Sequence, residues 1–222
     1  MPKRALAEKR PWLLGSLAAA IGFYIYRNGP VPDLFLSTGK GLAIGLLAVY
    51  ALLRHPSRHA WMLAGVMALC TIGDMVFVLF PRAGIAAFVL AHLLAIVLYA
   101  EFRRPMTSPS QKMLALALLL VVPPLGWLLP ADRAMAVPMG VYALALAVMA
   151  AMAWTSSFPR YRVGTGALLF VASSLLTFGQ MGPLATEAWA EWPVWPLYYA
   201  GQFLICTGVI QSLRKAGEFE AE

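Results

Sequence analysis

Residues 60–80 read AWMLAGVMALCTIGDMVFVLF, an apolar run of 21 residues that contains one charged side chain, Asp74. As a helix rising about 1.5 Å per residue, the run is long enough to cross the roughly 30 Å hydrocarbon core of a bilayer. A carboxylate at that depth costs about 2.5–3.5 kcal/mol on insertion scales, so it is expected to face a partner or a wet cavity. Asp74 is therefore the first candidate for a functional residue.

The rest of the chain has the same apolar character. Of its 222 residues, 61% are hydrophobic and 12% are charged, whereas a soluble domain carries about 25% charged residues. The apolar blocks are too long, and alternate too little, to be the strands of a membrane barrel. The pattern predicts an all-α polytopic membrane protein, a single bundle domain over residues 1–222 with about eight transmembrane helices. The predicted spans are 12–26, 34–53, 60–80, 83–102, 113–129, 134–155, 164–180 and 194–213.

The distribution of Lys and Arg predicts the orientation, because cytoplasmic loops carry an excess of both. Of the 17 basic residues, 13 fall on the side that holds both termini, so we expect the N- and C-termini to be cytoplasmic. We interpret residues 12–26 as an uncleaved helix, since cleavage as a signal peptide would invert this asymmetry. Short loops without targeting motifs favour a bacterial inner membrane. The 13 residues are Lys3, Arg4, Lys9, Arg10, Arg54, Arg58, Arg103, Arg104, Lys112, Arg160, Arg162, Arg214 and Lys215.

The formal charge of +7 follows from the same basic loops. Loops beside anionic headgroups explain it, and we expect no nucleic-acid partner because polar runs with interleaved aromatic residues are absent. His55 and His59 have a spacing that suits a metal on a helix, but Pro56 intervenes and no acidic third ligand is near. Cys70 and Cys206 form no Cys-x-x-Cys motif and fit small packing residues. No glycine-rich phosphate loop occurs, so the sequence predicts neither a metal nor a cofactor.

Polar side chains gather at one depth in the predicted spans. Asp74 and Lys40 each lie six residues from the outer end of their span, about 9 Å deep. Together they could form a buried ion pair, which would lower the cost of both charges. The remaining polar groups of the layer could equally be separate hydrogen bonds between helices. The layer comprises Lys40, Asp74, His92, Tyr142, Ser174, Tyr198, Tyr199 and Gln202.

Several residues of this layer fit more than one chemical role. His92 alone fits a packed, hydrogen-bonded histidine, whereas near an acid it fits a proton carrier. A Ser-His-Asp hydrolase could combine Ser173 or Ser174 with His92 and Asp74. Against this, the chain contains no Gly-x-Ser-x-Gly elbow.

Proline and tryptophan mark two further features. Pro123 and Pro124 lie inside the fifth span and predict a kink or a break there. Trp189, Trp192 and Trp195 precede or open the last span and predict an aromatic belt at the membrane surface. The alternative is a mobile rim that guards an entrance for lipid.

Short motifs recur in a fixed order along the spans. They are Lys40, Gly73-Asp74, Gly84, Phe88, His92, Tyr142-x6-Met149, GALLFVAS at 166–173 and YYAGQ at 198–202. In order and spacing these motifs resemble those of the YhhN-like membrane proteins, the lysoplasmalogenase family. The resemblance covers about residues 40–213, which is most of the chain.

The resemblance implies a helical membrane enzyme that hydrolyses the vinyl ether bond of lysoplasmalogens to a fatty aldehyde and glycerophosphoethanolamine or glycerophosphocholine. It implies catalysis by the Asp of Gly-Asp, which is Asp74, and by a second Asp that follows the Ser of the seventh-helix motif. That second position is Ser174 in this chain. Because the reaction is served by one acid and one base, either Asp74 takes both roles in turn, or His92 or a tyrosine substitutes, or the protein is altered or inactive.

Asp74, Ser174 and His92 are accordingly the candidate catalytic residues. The candidate substrate-binding residues are Lys40, Tyr142, Ser173, Tyr198, Tyr199 and Gln202. The leading hypothesis is a hydrolase of a single-chain lysophospholipid, in which Lys40 steadies Asp74 or binds the substrate phosphate. A non-catalytic lipid-binding or transport protein is the alternative, because Ser174 replaces a carboxylate and broken helices occur in transporters. A scaffold whose polar layer serves only packing is the third.

Overall fold

The computed structural model of the chain describes residues 10–219, and over that range it is all-α. No strand occurs among these residues apart from an isolated bridge between Arg103 and Ser156. A 3-10 turn, Arg133–Met135, leads into the sixth helix, and a π-helical turn, Arg160–Gly164, leads into the seventh. The helices are α1 Arg10–Tyr26, α2 Asp33–Arg54, α3 Arg58–Phe77, α4 Pro81–Glu101, α5 Pro109–Leu128, α6 Ala136–Thr155, α7 Thr165–Gln180, α8 Ala188–Glu191 and α9 Val194–Phe219.

Six of these helices, α2 to α7, are long and apolar enough to cross a membrane within the described part of the chain. The two predicted spans that are not among these six, 12–26 and 194–213, correspond to α1 and α9. Helix α1 is apolar but has only 17 residues. Helix α9 has 26 residues, but polar side chains such as Gln202 and Gln211 make it less apolar. The prediction of an all-α integral membrane protein is therefore confirmed, with a helix count close to the predicted one.

The helix ends follow from local sequence. The Ser57 hydroxyl caps α3 by accepting a hydrogen bond from the Ala60 amide at 3.2 Å. Ser108 and Gln111 form a reciprocal capping box at the start of α5. Both arrangements satisfy amide groups that have no partner inside the helix. Pro123 and Pro124 lie inside α5, which continues through them to Leu128, so the predicted break is absent.

The chain divides into two compact units. The first holds residues up to Ala91 together with those from Ile210 onward, and the second holds His92–Val209. In the first unit, α1 is joined to α2 by the buried Ser16 hydroxyl, which donates to the Ala43 carbonyl at 2.6 Å. The buried side chains of α2 and α3 are mostly Ala, Leu, Ile and Met, which fill the space between closely packed helices.

Small residues also set the packing of the second unit. A Cβ at Gly166 would lie 2.7 Å from the Gly201 carbonyl oxygen, and a Cβ at Gly201 would lie 2.7 Å from the Gly166 carbonyl oxygen. Helices α7 and α9 therefore touch backbone to backbone at this point. Helices α5 and α6 approach in a similar way, with Gly126 directly against the Ala143 side chain. Without a hydrophobic driving force between helices in lipid, such close contact is the main source of attraction.

Three predictions about topology stay predictions. Lys3, Arg4 and Lys9, which contribute to the charge asymmetry, lie outside the described residues. The orientation of the termini therefore remains an expectation from the basic loops, as does the bacterial inner membrane. The single bundle domain over residues 1–222 is likewise retained as a prediction.

Candidate functional site

The first unit contains a buried ion pair between α2 and α3. Lys40 Nζ lies 2.7 Å from Asp74 Oδ1. The Asp74 side chain is 2% exposed, whereas the Lys40 side chain is 32% exposed. The structure thus brings together the two charges that the matched depth had indicated, and it leaves the Lys40 side chain more exposed than the Asp74 side chain.

Two glycines of α2 explain why the pair can form. A Cβ at Gly41 would come 2.6 Å from Met75 Cγ, and a Cβ at Gly45 would lie 3.6 Å from Thr71 Oγ1. Gly41 follows Lys40 directly. The close approach of α2 and α3 at Gly41 therefore places the Lys40 ammonium group within reach of the Asp74 carboxylate. The signal for this contact is Gly41-x-x-x-Gly45, a small-residue spacing typical of membrane helix pairs. Neither glycine is among the predicted site residues.

Helix α4 supports the segment that carries Asp74. A Cβ at Gly73 would come 2.8 Å from the Phe88 ring, and a Cβ at Gly84 would come 2.6 Å from Phe77 Cα. Glycine is therefore required sterically on both sides of the turn between α3 and α4. Two residues of the sequence motif, Gly73 and Gly84, thus have a packing role that fixes the position of the carboxylate.

The second unit contains a neutral polar cluster between α6 and α7. The Tyr142 hydroxyl and Ser174 Oγ are 3.0 Å apart and both are buried. The His92 ring, on the half of α4 that belongs to this unit, meets the Tyr142 and Phe170 rings edge to face, each at 5.2 Å between centroids. His92 is 1% exposed. This cluster brings together three of the predicted residues: His92, Tyr142 and Ser174.

Aromatic contacts continue from this cluster to α9. The Phe170 ring meets the Tyr198 ring at 5.1 Å, and the Trp195 ring stacks on that of Tyr199 at 6.0 Å. Trp195 is 5% exposed and packs inside the unit, so it does not belong to the predicted surface belt. Trp189 and Trp192, at 59% and 58%, are exposed as that prediction requires.

Two fully buried side chains of this unit keep a nitrogen without a hydrogen-bond partner among the described residues. They are His92 Nε2 and Gln202 Nε2. Leaving a buried polar atom unsatisfied costs about 1–3 kcal/mol, and native structures contain few such atoms. Gln202 stands four residues after Tyr198, on the same side of α9. His92 Nε2 and Gln202 Nε2 are therefore suited to forming a hydrogen bond with a polar ligand group such as a substrate hydroxyl.

Ser173 has a packing role that its sequence position did not predict. Its hydroxyl donates to the Val194 carbonyl at 2.8 Å, which ties α7 to the first residue of α9. The neighbouring Ser174 points its hydroxyl at Tyr142 instead. The hydroxyl of Ser173 is thus engaged in holding the fold, and substrate binding by this residue stays a prediction.

Potential metal ligands do not cluster in the described part of the chain, where no group of three or more His, Cys, Asp or Glu side chains could hold an ion. Cys70 and Cys206 are buried thiols. What the two polar arrangements offer is acid–base chemistry at Asp74 and hydrogen bonding at the His92, Tyr142 and Ser174 cluster.

A sequence model of the YhhN family matches residues 37–209, about three quarters of the chain. The match includes every residue of both polar arrangements. Comparison with curated proteins and with solved structures gives no significant match.

Proposed function

This chain belongs to the YhhN family, and from that membership and the buried Lys40–Asp74 pair we propose that it is an intramembrane hydrolase of single-chain ether lipids. The proposed substrate is a lysoplasmalogen. Cleavage of its vinyl ether bond gives a fatty aldehyde and glycerophosphoethanolamine or glycerophosphocholine. A single-chain lipid fits a membrane helix bundle because its tail lies among apolar side chains while its headgroup reaches polar ones.

The ion pair is the observation that supports this proposal most directly. Burying two charges is expensive, and replacing such a pair by apolar residues is often neutral or stabilising. A charged pair between two helices that could both cross a membrane is therefore poorly explained by stability alone. The unequal exposure of the Lys40 and Asp74 side chains adds to this, and Lys40 is proposed to bind the substrate phosphate while it steadies the carboxylate.

The reaction needs one proton donor and one proton acceptor. A vinyl ether, R–O–CH=CH–R′, takes a proton at its outer carbon and becomes an oxocarbenium ion. Water adds to that ion and loses a proton, and the resulting hemiacetal collapses to R–OH and the aldehyde OHC–CH₂–R′. In this proposal the proton of the Lys40–Asp74 pair moves onto Asp74, which in its acid form gives it to the vinyl ether carbon. The Asp74 carboxylate then takes the proton from the attacking water. One residue thus completes a cycle that consumes one water.

Ser174 supports the assignment of both roles to Asp74. Its hydroxyl is paired with that of Tyr142, and a pair of hydroxyl groups does not replace a carboxylate as an acid. His92 is the second proposed residue for proton transfer, because its Nε2 is not occupied by a hydrogen bond among the described residues. Tyr198, Tyr199 and Gln202 are proposed to orient the headgroup or the water.

The test uses the purified full-length protein in neutral detergent with a lysoplasmalogen, and it measures aldehyde release. Asp74→Asn is expected to lower the rate by about 10²–10⁴-fold, the usual contribution of a general acid–base group. Asp132→Asn is the matched control, since Asp132 is an exposed carboxylate that only caps the turn before α6. No aldehyde from the wild-type protein would remove the enzyme proposal, and full activity in Asp74→Asn would remove this mechanism.

A non-catalytic lipid-binding or transport protein is the second candidate, and Ser174 in place of a carboxylate favours it. Ser174→Asp separates the two. If the protein is an enzyme with a weakened acid–base pair, this change raises aldehyde release, because the Tyr142 hydroxyl can donate to the new carboxylate. If it is a carrier, neither the wild type nor Ser174→Asp releases aldehyde, and proteoliposomes move lysophospholipid faster than empty vesicles do.

A further inference from the structure

Two loops meet at the end of the second unit that holds the start of α5 and the end of α6. The Ser157 amide donates to the Phe102 carbonyl at 2.7 Å, and Arg103 forms a backbone bridge with Ser156. The buried Gln111 side chain donates to the Trp154 carbonyl at 3.3 Å. Segments 102–112 and 154–164 therefore form one joined surface, named here the loop face.

Trp154 and Arg160 lie together on the loop face. The Arg160 guanidinium carbon stands 5.7 Å from the centre of the Trp154 ring. Gly164 makes this arrangement possible, because a Cβ there would come 2.7 Å from Trp154 Cε3. The arginine is thus held in place by an aromatic ring and by the π-helical turn that contains it.

Trp154 and Arg160 each have an N–H donor without an acceptor among the described residues. Trp154 Nε1 and Arg160 Nε are buried and have no hydrogen-bond partner among the described residues. An indole N–H and a guanidinium group can only donate. Their natural complement is an anion with several acceptor oxygens, and a guanidinium fork matches the geometry of a phosphate.

The charged side chains within the two segments of the loop face are all positive. Segments 102–112 and 154–164 contain no Asp or Glu, and the acid nearest in sequence is Glu101 at the end of α4. The position is also that of membrane headgroups, since the loop face caps helices long enough to cross a bilayer. The cations are Arg103, Arg104, Lys112, Arg160 and Arg162.

We propose that the loop face is a phosphate-binding site, centred on Arg160 and Trp154, that holds the headgroup of an anionic membrane phospholipid. The site is separate from the polar cluster of the second unit, because Ser174 lies ten residues along α7 from Gly164, about 15 Å away. It is also independent of the proposed hydrolysis, which would use neither Arg160 nor Trp154. The other cations of the loop face attract the lipid, and Arg160 with Trp154 fixes its phosphate.

The test measures the melting temperature of the full-length protein in neutral detergent with added phosphatidylglycerol, phosphatidylcholine or inorganic phosphate. Phosphatidylglycerol at ten times its Kd is expected to raise the Tm of the wild type by about 3–6 °C. Arg160→Gln and Trp154→Phe should each remove most of this shift. Arg162→Gln is the matched control, because it removes the same charge from an exposed position two residues away and should keep most of the shift.

Arg160→Lys keeps the charge but loses the planar fork, so it should lose more of the shift than Arg162→Gln does, and it serves if Arg160→Gln fails to fold. Equal loss in Arg160→Gln and Arg162→Gln would overturn the proposal, because a diffuse positive field would then explain the binding. Absence of any shift with phosphatidylglycerol and with phosphate would overturn it too. The same shift with inorganic phosphate would support the phosphate site and assign it to the free ion instead of the lipid.

Discussion

The two compact units bury polar groups in opposite ways. The first places a full positive and a full negative charge 2.7 Å apart between α2 and α3. In the second, the polar cluster between α6 and α7 consists of a tyrosine and a serine hydroxyl 3.0 Å apart, with a histidine ring beside the tyrosine ring. Burying a charged group in an apolar surrounding costs more free energy than burying a neutral polar group, and it requires a partner of opposite charge. We therefore expect acid–base chemistry from the first arrangement and hydrogen bonding to a polar ligand group from the second.

The largest expected effect on stability comes from removing one charge of the ion pair, which tests the difference between the two units most directly. Lys40→Met leaves the 2% exposed carboxylate of Asp74 without this cation, and we expect a loss of about 3–5 kcal/mol in the free energy of unfolding. Asp74→Asn should cost less than half as much, because the Lys40 side chain is 32% exposed and can move its ammonium group toward water.

Denaturant unfolding followed by tryptophan fluorescence measures both variants. The double variant Lys40→Met, Asp74→Leu is the control, since replacing both charges should restore most of the lost stability. If Lys40→Met proves as stable as the wild type, the ion pair contributes nothing to the first unit.

The next comparison concerns the glycine contacts in the two units. Gly166→Ala drives a methyl group against the Gly201 carbonyl oxygen, which is backbone and cannot move aside, so a loss of about 1–3 kcal/mol is expected. Gly41→Ala meets the flexible Met75 side chain at 2.6 Å and touches Thr71 Cγ2 at an ordinary 3.4 Å. The gain of roughly 0.8–1 kcal/mol in helix propensity offsets most of the cost of these contacts.

Thermal unfolding of the two variants checks this order. Gly22→Ala is the control, because no heavy atom lies within 4 Å of its added Cβ, so it should stabilise the protein slightly. A larger loss in Gly41→Ala than in Gly166→Ala would contradict the reciprocal backbone contact of α7 and α9.

The neutral pair of the second unit should be worth much less than the ion pair of the first. A double-mutant cycle of Tyr142→Phe and Ser174→Ala is expected to give a coupling energy of about 0.6–1.7 kcal/mol, the range of side-chain hydrogen bonds between membrane helices. The same denaturant assay measures it. A coupling energy near that lost in Lys40→Met would erase the distinction between the two units.

The smallest effect concerns His55, in the turn between α2 and α3. Partial burial, followed by repulsion from Arg214 and from His59, lowers the pKa of His55 below its usual 6.5. Because the unfolded chain then takes up the proton first, the folded state loses stability as the pH falls from about 7 through 6.5 toward that lowered pKa. His55→Gln should flatten this part of the Tm–pH profile, and Arg214→Gln should reduce its slope while leaving the ring to titrate. An unchanged profile in His55→Gln would show that another group titrates there.

Much of the fold and part of the candidate site could be predicted from the sequence. Asp74 and Lys40 stood out because each was a lone charge in an apolar span at the same depth, and the structure joins them. The packing role of Ser173 and the burial of Trp195 were missed. Helix α5 continues through Pro123, which excludes the break, one of the two predicted alternatives. All three depend on which neighbour a side chain or a backbone turn meets, and single-sequence patterns do not encode that neighbour.

The sequence by itself determined that this protein is built from membrane helices, because a backbone in lipid must satisfy its own hydrogen bonds and long apolar runs leave the helix as the only solution. It also predicted that Asp74 and Lys40 lie at a similar depth, since distance along a helix follows from residue count. The tertiary structure alone decided which of these groups meet. Helices that are apolar on every side carry little information about their rotation, so that rotation is fixed by the fit of small residues such as Gly41 and Gly166 against a neighbouring helix.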